Sequence, residues 1–192
     1  MKLTTFALLL ISTCTFAQSS NIRNLLDTAL TENKSLFVYA SPITTIQLDK
    51  TDINHYTYLL SEYTDLPFDT LSFLEIIQNV SQLDTSKWTD DELPRHLLVN
   101  NRQETIQKSY VLRKFNTIDE QKVQHYLERV AQFNTTAPEA RRISYFSRPL
   151  FNNAKTVALI RWGYTGGGCV VLYQRQANQT WLELGPIQLW AY

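Results

Sequence analysis

The chain has 192 residues, with 18 basic and 18 acidic side chains and a formal charge of zero. Hydrophobic residues make up 44% and charged residues 19%, enough to build a core and too apolar a mixture for a disordered chain. Without an excess of Lys or Arg the chain offers no basic face to nucleic acid.

The N-terminus reads MKLTTFALLLISTCTFAQSS. Lys2 supplies the positive start, Phe6 to Ile11 the apolar run, and Thr15-Phe16-Ala17 the small residues at a cleavage site. Residues 1–17 therefore read as a secretory signal peptide, and residues 18–192 as a single α+β domain. The competing reading is a lipoprotein signal ending at Cys14, but Thr13 before it is larger than such a site prefers. No later stretch approaches 18 apolar residues, so no membrane span is expected once the signal is removed. The protein is expected to be exported, to the periplasm or outside the cell. Cleavage also removes Cys14 and leaves Cys169, which cannot form an internal disulfide. Its neighbours Val170 and Val171 favour a small buried hydrophobe over a reactive thiol or an intermolecular bridge.

Ser20 can cap a helix carrying Ile22, Leu25, Leu26, Ala29 and Leu30 on one stripe, with Asn33-Lys34 as its stop. Leu36 to Tyr39 follows as a short buried strand, ended by Ser41-Pro42. Ile43 to Leu48 reads as a second extended piece. Asp52 is placed to cap a helix with Ile53, Tyr56, Leu59, Leu60 and Tyr63 on one face, broken by Leu66-Pro67. Asp69 caps the next, with Leu71, Leu74, Ile77 and Val80 three apart. The polar run Leu83 to Arg95 reads as a loop. Leu97 to Val99 and a second arm within Ile106 to Phe115 suggest a hairpin turning at Asn100-Asn101, though strand and helix are hard to separate in that second arm. A helix starting at Thr117 or Asp119 carries Val123, Tyr126, Leu127, Val130 and Phe133, and Pro138 ends it.

The last fifty residues, Ile143 to Tyr192, hold runs rich in Val, Ile, Leu, Tyr and Trp between short turn-forming clusters. The expected turns are Asn152-Asn153, Gly166 to Gly168 and Ala177-Asn178. In the strand from Val157 to Trp162 the set Ala158, Ile160 and Trp162 is fully apolar and should face the core. The expected fold is α+β, with helices packed on one face of a C-terminal antiparallel β-meander.

One further pattern runs through this region: Ser147-Arg148, Phe151-Asn152, Lys155-Thr156 with Ala158-Leu159, Gly163 and Gly166 to Gly168, Val170 to Tyr173, Trp181 and Trp190. It resembles a group of uncharacterised exported bacterial proteins over roughly residues 143–192. The resemblance implies export and carries over no catalytic residue. Members often have cysteines on both sides of the glycine turn, whereas only Cys169 stands here, which argues against a redox or metal role for the turn.

The ligand-binding candidates are Arg148, Arg161, Tyr164, Gly166, Gly167 and Gly168. A glycine turn can cradle an anion through its amides, but phosphate loops join a strand to a helix and this one joins two strands. Arg141, Arg142, Arg148 and Arg161 offer forked donors for a carboxylate, against the plainer reading of a solvated face. His55, His96 and His125 lack metal-ligand spacing, and no nucleophile motif appears, so no metal or cofactor is expected. Asp90-Asp91 carries no acid–base signal without a cleft. The four Trp and ten Tyr are a better lead, since aromatics with a polar tip suit glycan or protein surfaces as well as cores. The expected function is a non-catalytic exported module with a protein or glycan partner. The alternatives are a small hydrolase with a site assembled from distant residues, and an inhibitor-like or pro-segment partner of another protein.

Overall fold

Apolar residues recur along the N-terminal half at helical spacing, and that half folds mainly as helices. The computed structural model describes residues 22–30, 36–62 and 69–191, the side chain of Lys50 excepted. The signal peptide, the Ser20 cap, the Asn33-Lys34 stop and the Leu66-Pro67 break lie outside the described residues. Residues 22–29 form helix α1, which buries Leu25, Leu26 and Ala29. Strand β1 (Phe37–Tyr39) follows. Ile43 makes one isolated bridge to Ser147, and no strand forms over Ile43 to Leu48.

Helix α2 (Ile53–Ser61) buries Tyr56 and Leu60. Asp52 makes no side-chain cap. The chain enters α2 through a 3-10 turn at Lys50–Asp52, and Asp49 caps that turn by accepting from the Thr51 amide. Helix α3 (Thr70–Gln78) starts as expected, with Asp69 accepting from the Leu71 and Ser72 amides. Residues 83–96 form neither helix nor strand and cross the sheet as a strap, with Trp88 and Leu93 buried.

The expected hairpin at Asn100-Asn101 does not form. Strand β2 (Leu97–Val99) instead pairs in parallel with β1. A parallel pair needs a long crossover, which α2 and α3 supply. Asn100 donates its amide to the Glu104 carboxylate, and the chain turns into helix α4 (Lys108–Lys114). Val111 in α4 and Phe115 just beyond it, four apart, bury together against helix α5 (Glu120–Thr135), which is capped by Asp119. Val130 and Phe133 of α5 close this cluster over Phe37, Leu97 and Val99.

Five strands follow: β3 (Tyr145–Phe146), β4 (Leu150–Phe151), β5 (Val157–Tyr164), β6 (Gly167–Arg175) and β7 (Trp181–Ala191). They form one antiparallel sheet in the order β3-β5-β6-β7, with β4 also on β5. The fold is α+β, with five α-helices among the described residues ahead of this sheet and α2 and α3 packed on one of its faces. Ala158 and Ile160 face a cluster containing Leu25, Leu26, Val38 and Trp88. Val157 and Leu159, on the Arg161 side of β5, are equally buried, because Tyr56, Leu60, Phe73 and Ile76 cover them.

The β6–β7 turn falls at Ala177-Asn178 as expected, while the other two turns use their residues differently. At the β4–β5 turn the left-handed residue is Lys155, at φ 55°, not an asparagine. Asn152 acts through its side chain, whose oxygen accepts from the amides of Thr156 and Val157 at 2.9 Å each. The β5–β6 turn is two residues long, Thr165-Gly166, with Gly166 at φ 114°. Gly167 and Gly168 are strand residues rather than turn residues. Cys169 is buried in β6. Among the described residues no helix is long and apolar enough to cross a membrane.

Candidate functional site

The four arginines expected to gather at the sheet end up apart. Arg148 is 6% exposed. Its guanidinium donates to the Ser86 and Lys87 carbonyls at 3.1 and 2.6 Å, pairs with Glu92, and lies 4.0 Å from the centre of the Trp88 ring. Arg141 is also buried and donates to the carbonyls of Arg102, Glu104, Asn134 and Thr136. A solvated face is therefore wrong for both: each charge is buried because its donors are matched by acceptors. Arg142 is exposed.

Three polar residues of the C-terminal pattern serve the fold in the same way. Ser147 accepts from the Arg161 amide at 2.9 Å through its hydroxyl, Arg148 holds the strap, and Asn152 closes the β4–β5 turn. At the hairpin tip Tyr164 is half exposed and stacks on Trp162 at 5.8 Å between centroids. Gly167 and Gly168 lie where Trp190 of β7 crosses β6, which leaves no room for a side chain.

Arg161 is the candidate that meets a cleft. Helix α2 packs against β7 beside a cavity of about 610 Å³. Asp52, His55 and Tyr56 line it from the helix side, and Ile187, Gln188 and Trp190 from the strand side. Arg161 reaches it from β5, with its guanidinium 4.8 Å from the centre of the Trp190 ring. Nη1 donates to the Thr45 carbonyl at 2.8 Å, while Nε is buried without an acceptor. Among the described residues Arg161 has no carboxylate partner. Gln188 spends its amide N–H on the Gln47 carbonyl at 3.0 Å, which leaves its amide oxygen to accept. Tyr56 is fixed from behind, its hydroxyl accepting from the Asp49 amide at 3.2 Å.

The cleft thus joins a stacked cation, an imidazole, a carboxylate and an amide, with apolar Ile187 and Leu189 beside them. Such a mixture can orient a small polar ligand by hydrogen bonds while burying part of its surface. The sequence reading picked out Arg161 but missed Asp52 and His55 as its companions. Their i, i+3 spacing on one helical face beside Tyr56 was the available sign. Among the described residues no group of three or more His, Cys, Asp or Glu is arranged to hold a metal. No family model, curated protein or solved structure matches this chain.

A second polar cluster pins the strap to α4. Asp90 accepts from the Tyr110 hydroxyl at 2.6 Å and from Lys114, whose side chain is 4% exposed. Burial alone would push the Asp90 carboxyl up, but the hydrogen bonds from Lys114 and Tyr110 outweigh it and hold it below the usual carboxylate range. Burial pushes the Lys114 ammonium down despite Asp90. Burial would also raise Glu92, and its bonds to Arg148 and Thr89 hold it low. A carboxyl held low in the folded state stabilises above its unfolded pKa, and that contribution is lost as pH falls through the folded value. The melting temperature should therefore drop as pH is lowered through and below about 4. In the double variant Asp90→Asn/Glu92→Gln the drop should be shallower, read by thermal melts across a pH series. An unchanged slope would show that neither group contributes.

Proposed function

We propose that this is an exported, non-catalytic binding module, and that the α2–β7 cleft is its ligand seat. The observation that carries the reading is the Arg161 guanidinium, laid on Trp190 with no carboxylate partner among the described residues, at the wall of a cavity of ligand size. Arg141 and Arg148 are sealed among several acceptors each, whereas Arg161 has the Thr45 carbonyl and stands at a cavity wall, where its charge can meet a ligand. Export is supported by the signal-like residues 1–17 and by the resemblance of residues 143–192 to exported bacterial proteins. A glycan suits the cleft better than a protein does, because the hydrogen-bonding groups line a concavity rather than a flat patch.

One observation favours the hydrolytic alternative: Asp52 and His55, a carboxylate and an imidazole, line the same cavity. The mature chain should be screened on a saccharide array beside His55→Ala and Gln188→Ala variants. A subset of saccharides should be retained intact by the parent chain and lost by both variants. Release of shortened products would favour hydrolysis, and retention of nothing would reject the cleft as a glycan seat. Export is checked in the same preparation by mass, which should place the mature N-terminus at Gln18.

A further inference from the structure

Resting on the binding-module reading, we infer that the ligand of the α2–β7 cleft is a sugar acid: a hydroxyl-rich ring with one carboxylate, held by Arg161. Four observations converge on that class. The Arg161 guanidinium has Nε buried and Nη1 bonded to Thr45, which leaves Nη2 uncommitted, and it has no carboxylate partner among the described residues, so a carboxylate is the ligand group that suits it best. Stacking on Trp190 and the bond that the Arg161 amide donates to the Ser147 hydroxyl fix the residue in place, so little conformational entropy is lost on binding. Asp52 lines the same cavity and repels a doubly charged group more than a singly charged one, which disfavours a phosphate monoester against one carboxylate per ring. Asp52, the Gln188 amide oxygen and His55 are acceptors or mixed groups that match sugar hydroxyls, while Ile187 and Leu189 offer apolar surface to ring carbons.

The inference predicts a difference between two probes of equal size. Galacturonate trimers and galactose trimers are titrated calorimetrically into the full chain. The acid trimer should bind about tenfold tighter or more, the difference expected of one charge-assisted hydrogen-bonded pair. Arg161→Gln should bring the two affinities together, and Arg161→Lys should recover only part of the gap, because an ammonium cannot reproduce the fork. A measurement on the unsubstituted chain covers the case in which these variants fail to fold. Raising the salt concentration should weaken binding of the acid trimer and leave the neutral trimer unchanged. Equal affinity for the two trimers, with no salt effect, overturns the sugar-acid assignment while keeping the cleft as a glycan seat. Binding of neither trimer also overturns the assignment, and the saccharide array then decides separately whether the wider reading survives.

Discussion

Gly168→Val is expected to unfold the C-terminal sheet or to cost about 3 kcal/mol or more, the upper end for overpacking a closed site. A Cβ at this position would sit 2.5 Å from the Trp162 carbonyl oxygen of β5 and 2.8 Å from Cε2 of the Trp190 ring of β7. The first neighbour is backbone held by strand pairing and cannot step aside. The second is packed beneath Arg161. Gly167 is confined in the same way, with a Cβ placed 2.6 Å from the Trp190 carbonyl oxygen. Gly166 provides the contrast: a Cβ there meets nothing closer than 3.8 Å, and only its φ of 114° opposes a side chain. Gly166→Ala should therefore cost about 1 kcal/mol, from backbone strain alone. Urea melts of the two variants separate the effects. If Gly168→Val melts with the parent protein, the crossing of Trp190 over β6 is wrong.

Arg148→Ala is expected to cost about 3–5 kcal/mol, the range for breaking a buried ion pair by deleting one partner. The substitution leaves the Glu92 carboxylate with only its Thr89 bonds, leaves the Ser86 and Lys87 carbonyls without this donor, and uncovers the face of Trp88. Glu92→Ala should cost less, because the Glu92 side chain is 33% exposed and two of the acceptors of Arg148 remain. The strap has a second anchor, the Trp88 amide donating to the Ala40 carbonyl at 2.8 Å, and a third at Asp90 and Lys114. Its loosening should appear as new protease cleavage within residues 84–95 and as a change in Trp88 fluorescence. A variant as stable and as protease-resistant as the parent would remove the clamp from this account.

What could be read from the sequence follows from the range over which each feature is encoded. The amphipathic stripes of α2 and α5 repeat within one element, so their buried faces at Tyr56 and Val130 follow from spacing, whereas in α3 the expected stripe of Leu71, Leu74, Ile77 and Val80 is the less buried one: Leu71 is exposed, and Phe73 and Ile76 turn to the sheet instead. The Asp69 and Asp119 caps are equally local. Asp52 misled because the cap moved forward to Asp49, at a 3-10 turn that leaves no pattern of its own. The Asn100 hairpin misled for a different reason: β2 pairs with β1 across α2 and α3, and nothing near Val99 records a partner that far away. Arg148 and Arg161 stand in similar local contexts in the same stretch, yet one is sealed under the strap and the other opens onto a cleft. Only the packing of residues 84–95 and of α2 separates them. For the same reason Asp52 and His55 became companions of Arg161 only once the helix was laid against β7.

The claim most in need of a test is that ligand enters between Ile53–Ser61 and Trp181–Ala191. The direct measurement follows the indole N–H resonances of the four tryptophans while galacturonate trimer is added to the isotope-labelled full chain. The account predicts that the Trp190 resonance shifts in a saturable way, because it lines the cleft, while Trp88 and Trp181, both buried away from it, stay fixed. A saturable shift confined to Trp162, beside Tyr164 near the hairpin tip, would contradict the account and move the site to the opposite face of β5.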